Sequence, residues 1–136
     1  MAKAKSFKFN IWSVKPDEML KPEEGWINME LRWLIDENTV GSEFGTLGYT
    51  VFPPGSQHAP HVHGNAEEYV MVVKGHGISS SGKNKYEVGP GDVVFIPKGE
   101  VHFTKNTSKT EPLEIFFVYA GAPSLKKAGY TPKPSK

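Results

Sequence analysis

The sequence predicts an all-β domain, a sandwich or barrel of short strands, on three observations. Its 14 glycines and 11 prolines among 136 residues punctuate the chain too densely for long helices. Valine and isoleucine number 18 against 13 for leucine and alanine, which favours strand. Short apolar runs recur with turn residues between them, at about 8–12-residue spacing.

Each element has a local reason. Ile27–Ile35 alternates, with Ile27, Met29, Leu31, Trp33 and Ile35 on one side and Asn28, Glu30 and Arg32 on the other. On the polar side, Arg32 is expected to pair with Glu30 or another acid. Leu47–Phe52 is a second strand, stopped by Pro53-Pro54-Gly55. His61–His63 is extended, because Pro60 disfavours helix for the residue before it. Tyr69–Val73 is a β-branched apolar run. Ile78 and Tyr86–Val88 flank a Ser/Gly-rich turn and read as a hairpin. Val93–Ile96, Val101–Thr104 and Leu113–Ala120 complete the set. Lys15–Gly25 alone has helix-like composition, limited to a turn or two by Pro16 and Pro22. Phe7, Phe9 and Ile11 alternate and are expected to add a strand, to this barrel or a partner's. The tail from Gly121 is polar and Lys/Pro-rich, expected to be loose or packed across a neighbour. The length suits a single domain over 1–136, with a core over about 27–120, a basic arm 1–8 and a tail 121–136.

Composition excludes several functions. Without cysteine there is no disulfide scaffold, thiolate nucleophile, cysteine zinc site or iron–sulfur cluster. No apolar run approaches the roughly 20 residues that span a bilayer, and MAKAKSFKF lacks a signal-peptide core. The expectation is a cytoplasmic protein without membrane contact. The formal charge of +1 hides an asymmetry: residues 9–123 hold all 15 acids and 9 of the 16 basic residues, and the remaining lysines sit at the ends. Arg32 is the one arginine. That pattern argues against nucleic-acid binding, which concentrates basic residues on a folded face.

The chemistry gathers in the middle of the chain. His58, His61, His63 and His76 lie close together, and His102 stands apart. Residues i and i+2 of a strand share a face, so His61 and His63 present two imidazoles together. Glu67 or Glu68, on the next strand, can fold back to meet them. If the strand of His102 lies beside that of His61, three nitrogens and one oxygen converge, a set suited to a divalent transition metal.

Two motifs carry a family resemblance. Gly55 is followed by five residues, His61, Val62, His63, four residues, Glu68, six residues and Gly75. Further on stand Gly91, DVVFI, Pro97, Lys98, Gly99, Glu100-Val101, His102, FTK and Asn106. Both match the two motifs of the cupins, which this chain resembles. The resemblance implies an antiparallel jelly-roll β-barrel with one divalent metal (Mn, Fe, Ni, Zn, Co or Cu) held by His61, His63, Glu68 and His102. Of the two carboxylates, Glu68 also satisfies the distance to Gly75, which leaves Glu67 facing away. His76 is expected in an exposed turn. Asn106 is expected to close a turn through its side chain.

Strand parity adds Val70, Val72 and Thr104 to the face of the ligands, and His58 can reach the pocket from its approach loop. Tyr49, Phe52, Phe95, Phe103, Phe116 and Tyr119 are candidate aromatic walls, Tyr49 foremost. The expected partner is a small molecule with a chelating end and an uncharged body. Three reaction readings follow from the resemblance. The metal acts as a Lewis acid on a hydroxy or keto acid or a sugar-like substrate; or the protein is an O₂-dependent dioxygenase or oxidase; or it binds a small ligand without catalysis. Cupins of this kind imply a homodimer.

Overall fold

The computed structural model describes residues 5–133 and builds them into eleven strands, one α-helical turn and two 3-10 turns. In chain order the strands and the α-helical turn are β1 (Trp26–Ile27), β2 (Glu30–Ile35), β3 (Gly45–Phe52), β4 (Gln57–Val62), β5 (Glu67–Lys74), β6 (Gly77–Ser81), β7 (Asn84–Val88), β8 (Val93–Ile96), β9 (His102–Asn106), β10 (Leu113–Ala120), α1 (Leu125–Ala128) and β11 (Thr131–Pro132). One sheet runs β1-β4-β9-β6-β7, with β11 also on β4; the other runs β2-β3-β10-β5-β8. All pairings are antiparallel, and the two sheets form the walls of a jelly-roll barrel.

The barrel is filled from its inner faces. On β10, Leu113, Ile115, Phe117 and Tyr119 are buried and alternate with partly exposed residues. On β5, Glu68, Val70 and Val72 do the same. Each large apolar side chain so buried contributes about 1.5–3 kcal/mol. Gly48 on β3 is required by this packing. A Cβ there would stand 2.0 Å from the Phe117 ring. Gly75 joins β5 to β6 at φ 83, where a Cβ would meet the Pro112 carbonyl oxygen.

Several expectations need correction. The single strand over Ile27–Ile35 is broken at Asn28, whose φ is 54, and the chain changes sheet there. A bulge between Trp33 and Ile35 then turns Leu34 inward and ends the simple alternation. Lys15–Gly25 does hold a single helical turn, a 3-10 turn over Pro22–Glu24, as expected. The serines assigned to the hairpin turn, Ser79–Ser81, are buried strand residues of β6, leaving Gly82-Lys83 as the turn. Phe7 and Phe9 form no strand; Ile11–Ser13 is a 3-10 turn capped by the Asn10 side chain. Arg32 makes no ion pair among the described residues. Its Nε donates to the Val14 carbonyl, and its guanidinium lies over the Trp12 ring. As far as residue 133 the tail is not loose. It packs on its own barrel, with Ala122 and Ala128 in the core. The basic residues Lys3 and Lys136 lie outside the described residues.

Candidate metal centre

The histidine pair is set by strand register. His61 on β4 stands directly opposite His102 on β9. His63 follows two residues on, just past the end of β4. Glu68 comes from the other sheet, where it pairs across to Tyr119 on β10. The cluster therefore lies between the two sheets, inside the barrel. One ligand atom from each of His61, His63, Glu68 and His102 falls within 4.8 Å of the others. All four side chains are buried, with exposures of 2%, 2%, 8% and 3%. Glu67, by contrast, points outward and accepts from the Tyr69 hydroxyl.

The hydrogen bonds decide which nitrogens face inward. Each imidazole donates from Nδ1 to a backbone carbonyl: His61 to Ala59 at 2.7 Å, His63 to Gly129 at 2.7 Å and His102 to Glu100 at 2.9 Å. Every Nε2 is thereby turned toward the cluster. His102 Nε2 lies 3.0 Å from Glu68 Oε1. His63 Nε2 is 3.2 Å from the same oxygen, out of line for a hydrogen bond. His61 Nε2 and His63 Nε2 are buried without a hydrogen-bond partner. A buried acceptor left unpaired costs about 1–3 kcal/mol, and a cation at this point would satisfy both nitrogens at once. The donor set, three imidazoles and one carboxylate, fits a borderline divalent transition metal.

Electrostatics agree with that polarity. Burial drives the pKa of His61 well below the usual imidazole value, so it stays neutral. His102 is also desolvated, but the Glu68 carboxylate outweighs this and raises its pKa. Burial disfavours the Glu68 anion, yet the hydrogen bond from His102 and the closeness of the His102 and His63 imidazoles overcome it and hold the carboxyl below its ordinary range. Both ring nitrogens of His102 are donors in this arrangement, so a cation arriving here displaces a proton.

The remaining candidates separate cleanly. His58 lines the cavity beside the cluster, its ring stacked on His61 at 3.6 Å and on Trp26 at 3.9 Å. Simple parity puts residues three apart on opposite faces. The irregularity between His58 and His61 cancels that and turns both inward. Thr104 also lines the cavity. Val70 and Val72 share the face of Glu68 but pack in the core without lining it. Tyr49 lies outside the cavity, a correction to its expected place. The neighbouring Thr50 takes the inward position, so Tyr49 faces out, bonded to Glu114 and covered by Trp12. Phe116 contacts Tyr49 on that outer side, and Phe95 is exposed. Of the aromatic candidates, Phe52 and Tyr119 do line the cavity. His76 is exposed, as expected. Asn106 does close a turn, donating from Nδ2 to Phe52 and Glu111 and accepting from Ser108.

Sequence reasoning missed Trp26, Thr50 and Phe117 as walls, and Tyr130 behind them. The first three lie on strands whose inward parity depends on the corner at Asn28 and on register. Tyr130 comes from the tail, where no pattern points inward. It stacks on Trp26 at 4.7 Å, and its hydroxyl lies 3.1 Å from His58 Nε2. The cavity that these residues enclose has a volume of about 20 Å³.

Fold and site together define a small antiparallel barrel with a histidine-rich cluster that could hold a metal ion. The chain belongs to the cupin domain family, whose model matches residues 48–119. A germin-like protein of Arabidopsis thaliana (subfamily 1 member 2, putative) is 33% identical over 110 residues, 75% of this chain and 47% of its own length. Oxalate oxidase GF-3.8 of Triticum aestivum is 33% identical over 96 residues, 65% of this chain and 42% of its own. The chain thus spans less than half the length of these relatives. Among solved structures, polyketide cyclase RemF from Streptomyces resistomycificus has a TM-score of 0.78 at 21% identity, covering 97% of this chain and 88% of that one. A protein described as a predicted oxalate decarboxylase from Thermotoga maritima has a TM-score of 0.74 at 22% identity, covering 85% and 99%. At those identities the structures show a shared fold.

Proposed function

We propose that His61, His63, Glu68 and His102 hold one divalent transition metal, and that the protein is a metal-dependent enzyme acting on a small oxygen-bearing molecule. The observation that carries this is the pair of buried, unpartnered Nε2 atoms facing a carboxylate, with every Nδ1 already committed to a carbonyl. Bound there, such a metal supplies Lewis acidity and, where it is redox-active, a centre for electron transfer.

The chain's own residues do the rest. The three carbonyls fix tautomer and ring orientation, so the donor set is ordered before any ligand arrives. Glu68 brings the one negative charge to the cluster. Tyr119, buried beside it, has its pKa raised well above the ordinary phenol value by desolvation and by the Glu68 charge, so it remains a neutral hydroxyl. Thr50 and Thr104 add hydroxyl groups to the wall. Trp26, Leu31, Phe52, Ile115 and Phe117 supply the apolar part of the wall. No lysine or arginine lines the cavity. A phosphorylated substrate therefore lacks the guanidinium clamps it usually needs. A cavity of about 20 Å³ admits little more than one water, so a substrate reaches the cluster only as the wall shifts.

Lewis-acid chemistry on a hydroxy or keto acid is the leading reading. A second, O₂-dependent oxidation, is favoured by the likeness to an oxalate oxidase. The test starts with metal analysis of protein purified without chelator. Turnover of a panel of small hydroxy and keto acids, with oxalate included, is then compared in air and under anaerobic conditions. Zinc or nickel with activity that persists anaerobically supports the first reading. One equivalent of iron, manganese or copper with turnover that stops without O₂ replaces it with the second. Protein that holds no metal refutes both.

A further inference from the structure

Two of the three histidines take their orienting carbonyl from two residues back on the same chain segment, Ala59 for His61 and Glu100 for His102. His63 does not. Its partner, the Gly129 carbonyl, lies 66 positions further along the chain. That carbonyl belongs to a strap of residues 124–133, which holds nothing else of the site's immediate ligands.

The strap is fastened to the stretch that carries His61 and His63. The Asn65 amide donates to the Ala128 carbonyl at 2.9 Å, and the Lys133 amide donates to the Pro60 carbonyl at 2.8 Å. Between these two bonds β11 pairs with β4, Thr131 opposite Val62 and Pro132 opposite His61. Gly129 itself has φ 83, a conformation that a side chain makes strained. The geometry at this one residue is what aims its carbonyl at Nδ1.

Resting on the metal site proposed above, we infer that the strap is a positioning element for His63, and that metal binding and strap docking strengthen one another. With the strap docked, His63 is held as the Nδ1–H tautomer with Nε2 turned into the cluster. With it released, the ring is free to rotate and to carry its proton on Nε2, where a metal cannot bind. Loss of such an outer hydrogen bond typically lowers metal affinity about 10–100-fold. Linkage is reciprocal: whatever factor docking adds to affinity, metal must add to docking.

Two measurements on the full-length chain test this. Co(II) is titrated into wild type and Gly129→Val and followed by visible absorption, well below either melting temperature. The variant is expected to bind about 10–100-fold more weakly. A merely structural strap would lower the melting temperature of the metal-free protein and leave the affinity unchanged. Hydrogen exchange on the wild type, with and without Co(II), then reads docking directly and needs no variant to fold. Co(II) is expected to slow exchange at the Asn65 and Lys133 amides by a comparable factor. Equal Co(II) affinity in the two proteins, or exchange at those amides unaffected by Co(II), overturns the coupling. Wild type that binds no Co(II) overturns the metal site itself, and the coupling with it.

Discussion

Replacing His61 by phenylalanine should abolish metal binding while leaving the metal-free protein as stable as before, or more so. His61 is buried and neutral, and its Nε2 has no hydrogen-bond partner. An unsatisfied buried acceptor costs about 1–3 kcal/mol, and His61→Phe removes it while keeping a ring of similar size against His58 and His102. The variant also loses the Nδ1 bond to Ala59, about 1 kcal/mol. The balance runs from about zero to about 2 kcal/mol in favour of the variant, a rise in Tm of up to several degrees. Core substitutions ordinarily go the other way. Added metal at 100-fold over its Kd stabilises wild type by about 2.7 kcal/mol and should leave the variant unmoved. Urea and thermal unfolding of both proteins, each in chelator and in excess Mn(II) or Co(II), give all four numbers. A variant that loses more than about 2 kcal/mol in chelator shows that His61 was a packing residue. A variant that still gains with metal shows that the ligand assignment is wrong.

Three further outcomes follow from the same structure. The metal-free protein should be most stable near pH 6.5. Below this the unfolded chain takes up protons that burial denies to His58 and His61, whose pKa values are depressed. Above it His102, whose pKa is raised, loses the proton that binds it to Glu68. Because metal displaces that proton, metal loading should improve as pH rises through the same range, and denaturant midpoints across pH with and without Mn(II) check both signs. Gly48→Ala should destabilise by about 1–3 kcal/mol, since its Cβ would overlap the Phe117 ring, and compensating Phe117→Leu should recover part of the loss in urea unfolding. Tyr49→Phe should lose about 1.5–3 kcal/mol from the bond to Glu114 and leave metal content unchanged, because that side chain faces away from the cavity; altered metal content would put it back in the wall.

The legible part of the site was the part with short-range spacing. His61 and His63 share a face because strands alternate, and Glu68 is separated from Glu67 by one residue of parity. The histidine pair follows from alternation alone, whereas the choice of Glu68 over Glu67 follows from the spacing of the cupin motif to Gly75. Tyr49 and Thr50 lie on opposite faces of β3, and only the packing of the two sheets decides that Thr50 is the inward one. His58 could not be placed by parity at all, because the irregularity before His61 reverses it.

What the sequence determined by itself was the class of structure and the shared face of His61 and His63; the cupin motifs it resembles added Glu68 and His102. The class and the shared face depend on local rules: glycine and proline end strands, and a period of two sorts inner from outer residues. With no cysteine in the chain, any metal site had to be built of nitrogen and oxygen. What only the tertiary structure decided was how those four side chains are aimed. The Nδ1 of His63 is held by a carbonyl from the far end of the chain. The wall beside His58 is closed by Trp26 and backed by Tyr130 from that same segment. A hydrogen bond or a ring stack between distant segments leaves no periodicity along the chain. It exists only after the barrel has brought its ends together.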